Sequence, residues 1–192
     1  MKQNAISSHI SLIYRLSNRM TSYVLIGPPG AGKSTVGKAL AKQANLQLLD
    51  SDAEIEKKAE KKISEIFVDD GEPTFRSLEK EVVLHLLTRI ESEGGVLSLG
   101  GGAVMNDEVA NSLKNSKSKV IFLNVGIGQA AHRVGFNKDR PMLLVNPRQQ
   151  WIALMEKRRP RYEELADSII GTDSLKPSDV ALKILEENDG HA

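Results

Sequence analysis

Tyr23-Val24-Leu25-Ile26-Gly27-Pro28-Pro29-Gly30-Ala31-Gly32-Lys33-Ser34-Thr35 decides the fold. An apolar tetrapeptide runs straight into G-x-x-x-x-G-K-[ST], a loop whose backbone N–H groups cradle phosphate oxygens. Glycines let the backbone wrap an anion with no Cβ in the way. The helix-prone run Ser34 to Lys42 that follows would aim its partly positive N-terminus at the same anion. Lys33 can reach the outer phosphates, and the Ser34 hydroxyl can ligate Mg²⁺. A glycine-rich turn without a ligand is the plain alternative, but the strand before it and the helix after it fit phosphate binding.

Around that loop the composition is ordinary. At 192 residues the chain is the size of one domain, able to bury about 70% of its unfolded surface. A net charge of +1 gives no argument for nucleic acid or an acidic membrane surface. Cysteine is absent, which excludes disulfides and thiolate metal sites and fits a reducing, cytoplasmic setting. No run approaches the ~18 apolar residues of a membrane span.

Residues 1–20 stand apart as an extension. They hold no acidic residue, carry Lys2, Arg15 and Arg19, and place Ile6, Ile10, Ile13 and Leu16 on a rough helical stripe. An over-long start with Met20 as the natural first residue, a poorly ordered tail and a short targeting peptide all stay open. Removing residues 1–19 is expected to leave activity unaltered, which assaying the two proteins side by side would check.

Residues 21–192 read as a single domain of alternating strands and helices. Strand 23–26 is followed by a helix to about Ala44, then by strand 46–49 ending in Asp50-Ser51-Asp52. One charged helix is expected over 53–68, a turn at 69–73, and a long helix from Thr74 to Glu93 with Pro73 at its first position. Its stripe is Phe75, Leu78, Val82, Leu86 and Ile90. Strand 96–99 runs into Gly100-Gly101-Gly102. Asn106 caps a short helix, followed by strand 120–125, a helix over 128–133, a polar segment about 135–147, a helix over 148–167, strand 168–170 and a closing helix. Strands alternating with helices predict a three-layer α/β/α fold around a five-stranded parallel sheet.

Carboxylates at the C-terminal end of a strand beside a phosphate loop are where such a sheet places its chemistry. Three successive glycines cost folding entropy, so close approach of a ligand is the better reason for Gly100 to Gly102 than a tight turn. Isolated arginines suit bidentate recognition of a carboxylate or phosphate. Residue chemistry alone therefore gives a phosphotransferase or a nucleotide switch. Trp151 reads as an anchor for its helix, His85 as a packed or half-exposed residue, and the other histidines are scattered.

The ordered set of marks is similar to that of the shikimate kinase family, from about Tyr23 to the C-terminus. The marks are the 27–35 loop, Asp50-Ser51-Asp52, Phe75-Arg76 with Glu79, Ser98 to Val104, Arg140-Pro141-Met142-Leu143-Leu144, and Lys157-Arg158 followed by Tyr162. The resemblance implies a P-loop kinase that moves the ATP γ-phosphate to the 3-hydroxyl of shikimate, in aromatic amino-acid synthesis. It implies that Asp52 accepts hydrogen bonds from the shikimate hydroxyls, that Arg76 and Arg158 bind its carboxylate, and that Gly100, Gly101 and Gly102 let the ring lie against backbone. Glu79 would hold Arg76. Gly30, Ala31, Gly32, Lys33, Ser34 and Thr35 would bind ATP, with Arg133 facing the adenine. One Mg²⁺ would be held by Ser34 directly and by Asp50 and Ser98 through water. Arg140, in a mobile lid about 135–147, would join Lys33 and Asp52 in catalysis. Shikimate and ATP are the implied partners, and a monomer is the family-based expectation.

Departures are few. Pro28-Pro29 stiffens the loop, Met142 replaces the Leu usual after Arg-Pro, and Gly171 stands where an Asp is frequent, so no adenine contact is assigned in 173–177. A kinase acting on gluconate or a nucleoside monophosphate, an inactive binding protein and a GTPase-type switch are the rivals. Asp50-x-Asp52, the triple glycine and Arg158 count against the first. Intact Lys33, Asp52 and Arg140 count against the second, and the lack of a correctly spaced N-K-x-D counts against the third.

Overall fold

The structure, a computed structural model, describes residues 21–134 and 146–189. The N-terminal extension, Arg140 and most of the expected lid lie outside those residues. Five parallel strands, β1 (Ser22–Ile26), β2 (Leu48–Asp50), β3 (Gly95–Ser98), β4 (Lys119–Asn124) and β5 (Ser168–Gly171), form one sheet in the order β2-β3-β1-β4-β5. The central strand β1 and its neighbour β3 are buried along their whole length, as an apolar run covered on two faces requires.

The helices are α1 (Lys33–Ala44), α2 (Ser51–Ala59), α3 (Ile63–Asp69), α4 (Gly71–Glu93), α5 (Asp107–Lys114), α6 (Ile127–Val134), α7 (Pro147–Leu165) and α8 (Pro177–Asp189). Right-handed crossovers dictate their sides. The step from β1 outward to β2 puts α1 on one face, where α8 packs against it. The returning steps to β3, β4 and β5 put α4, α5 and α7 on the other, packed in turn against one another. The chain thus leaves the neighbouring strands β1 and β3 toward opposite faces, which opens a crevice at their C-terminal ends. The loops that open there are 27–32 and 99–102.

Three local expectations are corrected. Strand two runs over Leu48–Asp50 instead of 46–49, and the helix after it starts at Ser51, two residues early, because the Asp50 carboxylate accepts the amides of Asp52 (3.1 Å) and Ala53 (3.4 Å). The single charged helix is two, divided at Glu60, whose φ of 53° is left-handed. Glu65 accepts the Lys62 amide at 2.8 Å and Glu56 accepts the Ile63 amide at 3.1 Å, so the restart is capped from both sides. The expected turn at 69–73 shrinks to Asp70, with Asp69 ending α3 and Gly71 starting α4. Pro73 falls at its third position, still within the first turn, where a missing N–H is tolerated.

At Gly27 a side chain is excluded outright. Its φ is +143°, and a Cβ there would lie 2.6 Å from the Leu123 carbonyl oxygen. The phosphate loop therefore leaves β1 pressed against the end of β4.

Candidate active site

Helix α1 opens without help from its own side chains. Its N-cap Gly32 supplies no capping group, and its first turn holds no acidic residue. By contrast Asp50 and Asn106 cap α2 and α5. The first amides of α1 are thus left as donors for an anion. Lys33 folds back over the loop and donates to the carbonyls of Gly27 (2.8 Å) and Pro28 (3.1 Å). Burial pulls its ammonium down to about 8, partly offset by Asp52 and Asp50, while Arg158 adds to the lowering. Ala31 is buried in the loop with its amide on the Pro28 carbonyl at 3.2 Å, and Thr35 is exposed.

Asp50 serves two elements at once. One of its oxygens caps α2, and the other accepts the Ser34 hydroxyl at 2.7 Å. Strand register sets Ser98, which is buried, beside Asp50. Ser34, Asp50 and Ser98 thus form a set of oxygen donors at the start of α1, of the hard type that Mg²⁺ takes. Among the described residues no group of three or more His, Cys, Asp or Glu gathers as a cage for a metal.

Asp52 projects from the first turn of α2 into the crevice. One side of it remains open to solvent, yet the surrounding protein strips enough water to raise its carboxyl to about 6. Asp50 and Glu79 push in the same direction, and Lys33 opposes them.

The three glycines form a floor beneath these charges. A Cβ on Gly100 would lie 2.6 Å from Asp52 Oδ1 and 2.9 Å from Glu79 Oε1, and one on Gly102 would lie 2.6 Å from Arg76 Nη1. The Gly101 carbonyl accepts from Arg158 Nη1 at 2.9 Å and from the Tyr162 hydroxyl at 2.5 Å. Burial pushes the Tyr162 phenol up to about 12, so it stays protonated and keeps donating. Arg76 donates to Glu79 at 2.6 Å, and Glu79 is itself buried.

Of the residues singled out by sequence, Lys33, Ser34, Asp50, Asp52, Arg76, Glu79, Ser98, Gly100, Gly101, Gly102 and Arg158 converge on this crevice. Within the basic cluster only Arg158 turns to the floor. Arg159 pairs with Glu163 and Asn124, and Arg161 with Asp107 and Glu164. Arg133 bridges Gly30, whose carbonyl lies 3.3 Å away, and Thr172 (carbonyl at 2.6 Å, hydroxyl at 3.1 Å), joining the phosphate loop to the segment after β5. His85 and His132 are exposed.

Two participants carry little mark in the sequence. Ser51 is fully buried and accepts the Gly100 amide at 2.8 Å, which moors the floor to α2. Its only signal is a small hydroxyl between two aspartates. Glu72 accepts from Arg76 Nη2 at 3.1 Å and Nε at 3.2 Å. Its i,i+4 spacing to Arg76 is a usable signal.

Known proteins resemble this chain over most of its length. A family model described as shikimate kinase matches residues 29–189. A shikimate kinase of Thermobifida fusca (strain YX) is 47% identical over 164 residues, covering 85% of this chain and 92% of that protein. One of Rhodococcus jostii (strain RHA1) is 43% identical over 163 residues, covering 84% of this chain and 94% of that protein. Among solved structures, a shikimate kinase from Acinetobacter baumannii in complex with shikimate superposes with a TM-score of 0.85 at 35% identity. That match covers 92% of this chain and 97% of the other.

Proposed function

The chain belongs to the shikimate kinase family, and from that membership we propose that it transfers the γ-phosphate of ATP to the 3-hydroxyl of shikimate. The products are shikimate 3-phosphate and ADP, on the route to the aromatic amino acids. The observation that carries the residue-level reading is the contact between the two half-sites. A Cβ on Gly101 would lie 3.3 Å from Pro29 Cδ and from the Gly27 carbonyl oxygen. A ring resting on the glycine floor therefore abuts the loop that holds the phosphates.

In this reading Lys33 exchanges the carbonyls of Gly27 and Pro28 for the outer phosphates. Its charge joins the free amides at the start of α1 in stabilising the transferred group. Phosphoryl transfer through a loose transition state depends mainly on alignment and charge neutralisation. Asp52 accepts a hydrogen bond from the attacking hydroxyl and fixes its direction. Arg76 and Arg158 take the acceptor's carboxylate, with Glu79 holding Arg76 in line. Mg²⁺ bound with the nucleotide would neutralise phosphate charge, held by Ser34 and, through water, by Asp50 and Ser98. Gly30, Ala31, Gly32 and Thr35 complete the phosphate cradle, Arg133 lies toward the adenine, and Arg140 closes over the phosphates. The protein is proposed to act in the cytoplasm as a monomer. No helix among the described residues is long and apolar enough to cross a membrane.

A coupled ADP-release assay with Mg-ATP, run in parallel with shikimate, gluconate and nucleoside monophosphates, tests the activity. Turnover with shikimate alone is expected; turnover only with another acceptor would reassign Asp52, Arg76 and Arg158.

Gly102→Ala tests the floor. The new methyl would meet the tip of the Arg76 side chain, a group able to swing aside, so the fold survives. The shikimate KM is expected to rise by roughly 10-fold or more, as befits a misplaced charge-assisted contact, with the ATP KM little changed. An unchanged shikimate KM would remove Arg76 from the binding set.

A further inference from the structure

Trp151, Met155, Arg158 and Tyr162 fall at i, i+4, i+7 and i+11 of α7, on one face of that helix. Trp151, Met155 and Tyr162 are buried and Arg158 is half-buried. At the N-terminal end of this face the Trp151 indole N–H donates to the Pro29 carbonyl at 3.1 Å. At the other end Arg158 and Tyr162 both donate to the Gly101 carbonyl, at 2.9 and 2.5 Å. Tyr162 is itself held by stacking on Phe122 of β4, with ring centroids 5.1 Å apart. One rigid helix face thus grips the phosphate loop and the glycine floor together.

The tie to Pro29 differs from those of Gly27 and Pro28, and unlike the Arg133 bond to the Gly30 carbonyl it comes from the helix that holds the floor. The carbonyls of Gly27 and Pro28 accept from Lys33, so they lose that donor when the lysine turns to a phosphate. Pro29 accepts from a residue outside the loop, one that need not move when phosphate arrives. We propose that Trp151 is a positioning residue for phosphate transfer. Through the Pro29 carbonyl it fixes the phosphate loop on the same helix that holds the acceptor floor, and so sets donor and acceptor in register. The acceptor half rests on the kinase reading above; the loop-holding half does not.

The test compares Trp151→Phe with Trp151→His in the full chain. Phenylalanine keeps more of the buried apolar volume but has no donor. Histidine loses volume, but its Nε2 occupies the place of the indole nitrogen in a five-membered ring, and at about pH 8 an ordinary imidazole is neutral. Mg-ADP affinity is measured by calorimetry, without shikimate, beside thermal midpoints. Loss of one neutral hydrogen bond is expected to weaken ADP binding by about 2- to 10-fold in Trp151→Phe. Trp151→His should recover most of it, although its thermal midpoint falls below that of the phenylalanine variant. If ADP affinity follows the thermal midpoints, or if Trp151→Phe binds ADP as the parent does, the residue only fills space and the proposal fails.

Normal shikimate turnover with donor-blind ADP affinities would refute this inference alone. The expected ADP pattern with no shikimate turnover would refute the acceptor assignment alone.

Discussion

Replacing Lys33 by alanine is expected to lower kcat by about 100- to 1,000-fold, the scale of losing one preorganised charge-stabilising group. The structure gives two reasons for an effect of that size. Lys33 is desolvated enough to bring its ammonium down to about 8. A charge already stripped of water acts on a phosphate with less screening than one at the surface. Its resting partners, the Gly27 and Pro28 carbonyls at 2.8 and 3.1 Å, are backbone groups that water can satisfy once the side chain is gone. The thermal midpoint should therefore hold while turnover collapses. Near-normal turnover in the ADP-release assay would sink the assignment of this loop to phosphate binding.

Asp52→Asn is expected to remove shikimate-dependent turnover almost completely, by about 1,000-fold or more in kcat/KM. This carboxylate orients the acceptor hydroxyl, and an amide offers a weaker acceptor beside a competing donor. The ATP KM should stay near that of the parent; a change confined to it would overturn the role. The pH profile follows from the same environment. Burial, with Asp50 adding, raises the Asp52 carboxyl to about 6, so the ionised form fills as pH climbs through that value. The Lys33 ammonium empties above about 8. Parent kcat/KM for shikimate should rise through the first limb, kcat/KM for ATP, which reports the nucleotide-free enzyme, should fall through the second, and Asp52→Asn should lack the acid limb. Stability runs the other way. A carboxyl raised in the folded state binds its proton more tightly there than in the unfolded chain, so folding is favoured below 3.8 and that advantage is lost as pH rises through about 6. At neutral pH the asparagine variant should melt no lower than the parent.

Much of this site was legible because its signals are local. The phosphate loop is contiguous, and three glycines at a strand end point to a backbone that something must approach closely. Asp50 and Asp52 stood out as carboxylates at the end of a strand. Arg76 and Arg158 were different: residue chemistry left them among several isolated arginines, and only their spacing from Glu79 and Tyr162, read through the family resemblance, singled them out. Boundaries failed where local backbone chemistry outvoted the apolar pattern, as when the Asp50 carboxylate started α2 two residues early by capping it and Glu60 broke one charged helix into two. Ser51 on the Gly100 amide and Trp151 on the Pro29 carbonyl were beyond reach in detail. Each joins segments far apart in the chain, and neither residue type declares its partner.

The position of β1 has a consequence for how the molecule is made. It is the first strand among the described residues, yet it lies at the centre of the sheet, paired with Gly95 to Ser98 on one side and Lys119 to Phe122 on the other. Neither neighbour exists on a growing ribosomal chain until long after β1 has emerged. The phosphate loop, pressed against Leu123 at its very first residue, is translated early and shaped late. Such distant pairings make folding slow, because chain entropy must be surrendered before they form. Nascent chains that stall before β4 therefore carry the whole phosphate-binding motif in sequence and none of it in shape.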